Sequence, residues 1–320
     1  MRSQPLNLGL GVVDLVCLIL AIAVLDIRDG RSQSVQITSS DVGRNEILSW
    51  RREENGVRIL TISPAQTPIQ PAHRSLILFA TPNGNTIEQT MGCKPREGLD
   101  WRFEIQHIAA QFRALQSLDA AREYALAVVQ APQLSWPDFR RTTPKANQWI
   151  RELVASLQQQ TGANEVILSC HSGGGSFLWG WMNAHDHFPD DVSRIVFLDA
   201  NYSYSDEDRH GDKIMEWMLT PAHLCVVVAY DDREITLNGK KVIEDDGGTY
   251  RATDRMKRRF AKDRKLEDRR AGNFQMTESS DRRVQFAVHT NPENRILHTS
   301  LVGDMKGFLF GMLAGTPLES

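Results

Sequence analysis

Residues 165–182 read EVILSCHSGGGSFLWGWM, and this stretch constrains the fold more than any other. Residues 165–170 are short, apolar and rich in β-branched side chains, with Gly162 just upstream; that is the pattern of a buried strand. Residues 177–182 have no breaker except Gly180 and read as a helix. The chain therefore passes from strand to helix around Ser172, through three consecutive glycines. Glycine reaches backbone conformations that a Cβ forbids and lets other segments come close. The stretch reads as a tight, crowded turn with a serine hydroxyl raised at its apex.

The rest of the chain alternates in the same way. Residues 46–50 and 57–62 flank REENG and form an antiparallel hairpin pattern. Beyond Pro64, Pro68 and Pro71 come strand patterns at 75–80, 124–129, 194–199, 224–230 and 284–288. Helical patterns separate them, at 103–118 and 144–160 among others. The second of these has proline at its start and carries Trp149, Leu153 and Leu157 on one face. Such alternation predicts an α/β fold: a doubly wound, mostly parallel sheet with helices on both faces and a site at the carboxyl ends of the strands. Residues 233–281 are too long for a simple crossover and are expected to form a cap inserted before the last strand. Their basic run at 255–265 reads as a solvated helix face, or as a surface attracting an anionic substrate or an anionic surface.

At 320 residues the chain accommodates one large domain with insertions. A net charge of -3 argues against a nucleic-acid partner. Cys17, Cys93, Cys170 and Cys225 have no framework spacing; Cys17, Cys170 and Cys225 read as free buried thiols, and a paired Cys93 is not expected. No Cys/His spacing resembles a zinc site; His185-Asp186-His187 reads as a solvated helix end, and neither metal nor cofactor is expected. The first 25 residues stand apart. Arg2 precedes an apolar segment at 8–25 that ends in Ala21-x-Ala23, the pattern of a signal peptide, although Asp14 interrupts it. An uncleaved membrane anchor and a buried helix are the alternatives. Residues 26–45 are polar and read as a linker, leaving 46–320 as the folded domain of a secreted or periplasmic protein.

A serine on a strand-to-helix turn between small residues is a nucleophile elbow, usually written Gly-x-Ser-x-Gly. Here the five positions are Cys170-His171-Ser172-Gly173-Gly174, with cysteine for the first glycine. Together with the order of strands, serine, acid and late histidine, this resembles the α/β-hydrolase fold superfamily, the serine esterase and lipase-like proteins. The resemblance implies that Ser172 is the nucleophile and His298 its base, in the loop after the last strand, with His289 the runner-up. His171 reads as a pocket-wall residue, because adjacent residues at a sharp turn point apart. The acid is Asp199, which closes an apolar strand as in some lipase-like members, or Asp232 in DDRE, the commoner place. Asp231 and Glu234 share that loop.

The oxyanion donors are expected to be the backbone N–H groups of Gly173 and Asn85. Asn85 belongs to TPNGNT, which resembles the fold's His-Gly loop with Asn83 in place of histidine. Trp136, Tyr202 and Tyr204 are placed near the mouth, with Trp136 and Tyr202 as substrate contacts and Trp136 able to stack on a sugar or aromatic acyl group. Trp179 and Trp181 read as core. The implied activity is that of an exported serine hydrolase cleaving a carboxylic ester, small or polymer-borne, through an acyl-enzyme. Amide or peptide hydrolysis on the same triad, and a non-catalytic binding module of the same fold, are the other readings.

Overall fold

Apolar side chains run almost unbroken along the central strands, so both faces of the sheet must be covered. The computed structural model describes residues 35–41, 44–65, 73–94, 97 and 105–319. Its strands are β1 (Val35–Asp41), β2 (Glu46–Arg52), β3 (Arg58–Pro64), β4 (Arg74–Ala80), β5 (Glu123–Gln130), β6 (Glu165–His171) and β7 (Val192–Leu198). They continue with β8 (Leu224–Tyr230), a small hairpin of β9 (Thr236–Leu237) and β10 (Lys240–Lys241), then β11 (Leu266–Ala271), β12 (Phe274–Ser279) and β13 (Val284–His289). All but the small hairpin join one sheet in the order β1-β2-β3-β5-β4-β6-β7-β8-β13-β12-β11. From β5 across to β13 every neighbouring pair is parallel. The two ends of the sheet are antiparallel.

The helices are α1 (Ile87–Met91), α2 (Ile108–Leu118), α3 (Trp136–Thr142), α4 (Ala146–Thr161), α5 (Gly175–Asn183), α6 (His210–Trp217), α7 (Thr249–Phe260) and α8 (Gly307–Leu313). Along β4, Leu76, Leu78 and Ala80 enter the core beneath α3 to α7, while Ile77 and Phe79 enter the core beneath α1, α2 and α8. This period-two division is what a doubly wound sheet requires. In α4, Ile150, Leu153, Val154 and Leu157 recur at helical spacing and are buried, and Gly162 ends the helix in a left-handed conformation. Among the described residues, no helix is long and apolar enough to cross a membrane.

Three expectations need correction. The polar stretch taken as a linker contains β1, which pairs along its whole length with β2; polar residues suffice at a sheet edge. The helix expected from 103 begins at Ile108, after His107 adopts a left-handed backbone conformation that α-helix cannot continue. Residues 233–281 do not form a separate cap. α7 buries Ala252, Met256 and Phe260, spaced four apart, with Met256 and Phe260 in the core on that face of the sheet, and β11 and β12 extend the sheet itself. The basic run continues past the end of α7 and is largely paired or half-buried: Arg259 pairs with Asp212 and Asp263, and Lys257 lies over the Phe286 ring. Cys170 and Cys225 are buried as expected, and Cys93 is exposed. The apolar segment at 8–25 lies outside the described residues.

Candidate active site

The elbow is built by three close approaches. A Cβ on Gly173 would fall 1.9 Å from Asn83 Oδ1, one on Gly174 2.3 Å from the Ala80 carbonyl oxygen, and one on Gly175 1.9 Å from the Ala200 carbonyl oxygen. Gly174 and Gly175 are thus wedged against the backbone at the ends of β4 and β7, where only glycine fits, while Gly173 lies against the Asn83 side chain. Ser172 itself has φ +53, a left-handed conformation that a non-glycine residue holds only when its surroundings enforce it. Cys170 replaces the elbow's first glycine without difficulty, because its side chain points into the core under α3 to α7. Burial pushes its thiol pKa well up, which keeps it protonated.

Beside the elbow, His298 Nδ1 lies 2.5 Å from Asp199 Oδ2. Asp199 follows directly on β7, is 2% exposed and has φ +47. Like Ser172, it is a strained residue at the end of a parallel strand. The His298 side chain is 35% exposed, so one edge of the imidazole is paired and another faces outward. Asp232, the other acid considered, does not bond His298. Its Oδ2 accepts the Thr249 backbone N–H at 2.7 Å and its Oδ1 the Tyr250 N–H at 3.4 Å, which caps α7. Gly248, with φ +87, admits it: a Cβ there would lie 2.5 Å from Asp232 Oδ2. Burial raises the Asp232 pKa, and the charge of Asp199 adds to the rise.

His171 is not a pocket wall. It is fully buried, with Nε2 3.0 Å from the His298 carbonyl oxygen and Nδ1 3.1 Å from Gln106 Nε2. A carbonyl accepts and an amide nitrogen donates, so these partners assign the neutral Nε2–H tautomer. Burial, and next the neighbouring His298, hold its pKa well below the ordinary value. Its ring lies 4.5 Å from that of His298, centroid to centroid. His171 therefore holds the backbone of the histidine loop, with no nitrogen left for a ligand. His289 takes no part: it is buried, accepts the Asn291 N–H, and packs edge-on against Phe274.

The TPNGNT loop leaves β4 and lays Asn83 against Gly173. The half-buried Asn85 reaches Gln106 Oε1 through Nδ2 at 3.4 Å. Trp136 is a second correction. It is 1% exposed and stacks edge-on with Phe139 and Phe177, because its position as first residue of α3 turns the indole into the core. Tyr202 is half-buried; burial raises its pKa first, then the nearby Cys170 and Asp199. Tyr204 is buried and bonds Asp206. Trp179 and Trp181 are core residues. His185 caps its helix by donating from Nδ1 to the Trp181 carbonyl. Gln106 and Thr249 went unnoticed in the sequence. A lone glutamine before a helix carries no signal, and the only hint of Thr249 was the Gly-Gly pair that precedes it.

Parallel strands in this order, an elbow serine at the end of β6, and the chain order serine, aspartate, histidine together define the α/β-hydrolase fold. No family model matches the chain, and no curated protein does. Solved structures are similar to it. One is a thermostable esterase, 12% identical with a TM-score of 0.48, over 88% of this chain and 63% of that one. Another is a cold-adapted esterase from an Arctic intertidal metagenomic library, 10% identical with a TM-score of 0.40, over 89% of this chain and 97% of that one. A third is a ferulic acid esterase, 10% identical with a TM-score of 0.41, over 87% and 97%. The chain thus spans less than two thirds of the thermostable esterase's length.

Proposed function

We propose that this chain is a serine hydrolase that cleaves carboxylic esters, small or carried on a polymer, through an acyl-enzyme. Ser172 Oγ attacks the ester carbonyl while His298 Nε2 takes its proton. Asp199 accepts the bond from Nδ1–H, fixing the tautomer and stabilising the imidazolium. The backbone N–H groups of Gly173 and Asn85 receive the oxyanion, each donor contributing about 2.7–4 kcal/mol in sites of this kind. His298 then returns the proton to the leaving alkoxide. In the second half, water loses a proton to His298 and attacks the acyl carbonyl, releasing the acid and restoring Ser172. Tyr202 lines the substrate side. Residues 1–25 direct export, as a cleaved signal or a retained anchor, with the mature protein secreted or periplasmic.

The observation that carries this reading is the bond between His298 and the buried Asp199, made beside a serine held at positive φ. A buried carboxylate needs a partner, and a half-exposed imidazole oriented by one is a general base awaiting a substrate. Turnover of a panel of short-chain p-nitrophenyl esters and matching anilides tests it. Esters are turned over faster than anilides, and Ser172→Ala abolishes turnover while its melting temperature stays near wild type. Turnover that survives in Ser172→Ala contradicts the assignment, and anilides cleaved as fast as esters contradict the ester preference.

A further inference from the structure

We propose that Thr249, the first residue of α7, is a positioning residue of the hydrolytic site, pinning the Asp199 carboxylate so that its other oxygen faces His298; this rests on the triad proposed above. Asp199 has two side-chain oxygens in a buried place. Oδ2 accepts from His298 Nδ1, and Oδ1 accepts from the Thr249 hydroxyl. Among the described residues these are its side-chain hydrogen-bond partners. A carboxylate held at one oxygen can turn about its Cβ–Cγ bond; held at both, it cannot. The imidazole inherits that fixed direction.

Thr249 is well placed to impose it. It is 3% exposed, and its own backbone is tied at both ends. Its N–H donates to Asp232 Oδ2, and its carbonyl accepts the Thr253 hydroxyl at 2.7 Å. Thr253 in turn accepts Asn201 Nδ2 at 3.0 Å. A threonine hydroxyl has one proton to give. The nearer acceptor is Asp199 Oδ1, while Asp232 Oδ2 lies 3.3 Å away. Asp232, at the fold's commoner acid position, thus serves the site at one remove, by holding the residue that holds the acid.

The test compares Thr249→Val with Thr249→Ser on an ester that the wild type turns over. Valine keeps the shape and the N–H to Asp232 but loses the hydroxyl; kcat falls roughly 10- to 100-fold, the range for a lost hydrogen bond to a charged group, with KM unchanged. Serine restores the hydroxyl and returns kcat close to wild type. Where Thr249→Val does not fold, Thr249→Ala also lacks the hydroxyl and gives the same loss. The downfield proton resonance of the His298–Asp199 bond provides a readout independent of turnover. It shifts or broadens in Thr249→Val and is retained in Thr249→Ser. Wild-type kcat and an unmoved resonance in Thr249→Val overturn the inference and leave the triad standing. Equal losses in the valine and serine variants also overturn it, since the hydroxyl then does nothing. A wild type without turnover, and with no such resonance, removes the triad and this inference together.

Discussion

Asp199 and Asp232 end neighbouring parallel strands, are 2% and 3% exposed, and touch the same threonine. Their remaining partners separate them. Asp199 meets an imidazole with one edge open to the outside, whereas Asp232 meets two backbone N–H groups at the start of a helix. Burial costs both carboxylates solvation, and each must recover it from donors. The kind of donor, more than the depth or the strand, separates the proposed triad acid from the helix cap. A cap satisfies orphan N–H groups that any acceptor could serve. A triad acid has to stabilise a charge that appears only during the reaction.

The sharpest way to break this contrast is to neutralise each carboxylate in turn. Asp199→Asn keeps the shape but favours the wrong histidine tautomer, and turnover falls by about 10⁴, the loss measured for the same change in a well-studied protease. Asp232→Asn leaves turnover within several-fold of wild type. The reverse pattern would make Asp232 the acid. Truncation inverts the ranking when stability is read instead: Asp232→Ala leaves the Thr249 and Tyr250 N–H groups without their acceptor and costs about 1 kcal/mol, the usual worth of a cap. Chemical denaturation measures it, and an unchanged midpoint would mean that α7 needs no such cap.

A smaller effect lies in the pH dependence. The Asp232 pKa is raised in the folded protein, first by burial and then by Asp199. A carboxyl with a raised folded pKa contributes stability below its unfolded pKa and loses it as pH rises through the folded value. At neutral pH, then, the charged Asp232 is a burden that Asp232→Asn relieves while keeping an acceptor for Thr249. The variant melts at or above the wild-type temperature at pH 7, and the gap closes as the pH falls toward 4. A wild type that is the more stable of the two at pH 7 would show Asp232 to be favourably charged.

The sheet was legible in the sequence because its strands are short, apolar and punctuated by turns. The elbow was legible because three glycines around a serine admit few conformations. The contact between Asp199 and His298 follows from the same logic, since Asp199 follows directly on β7 and His298 lies in the loop after the last strand. Position along the chain does not say which way a side chain points, and the misplacements follow from that. His171 and Trp136 flank the expected site in sequence, but one turns under the histidine loop and the other into the core of α3 and α5. The segment 233–281 looked like a cap because it is too long for a simple crossover, and its charge hid a buried stripe at Ala252, Met256 and Phe260. Thr249 and Gln106 were invisible because their partners lie far away in sequence: Asp199 is 50 residues from Thr249, and His171 is 65 from Gln106.

The most direct test of the account is where a covalent inhibitor attaches. A fluorophosphonate reacts fastest with a serine whose proton is taken by a base and whose oxyanion is received by donors. The protein is labelled, digested and sequenced by mass spectrometry. One adduct is expected, on Ser172, that is absent from Ser172→Ala and strongly slowed in Asp199→Asn but not in Asp232→Asn. An unlabelled wild type, or an adduct on any other residue, would contradict it.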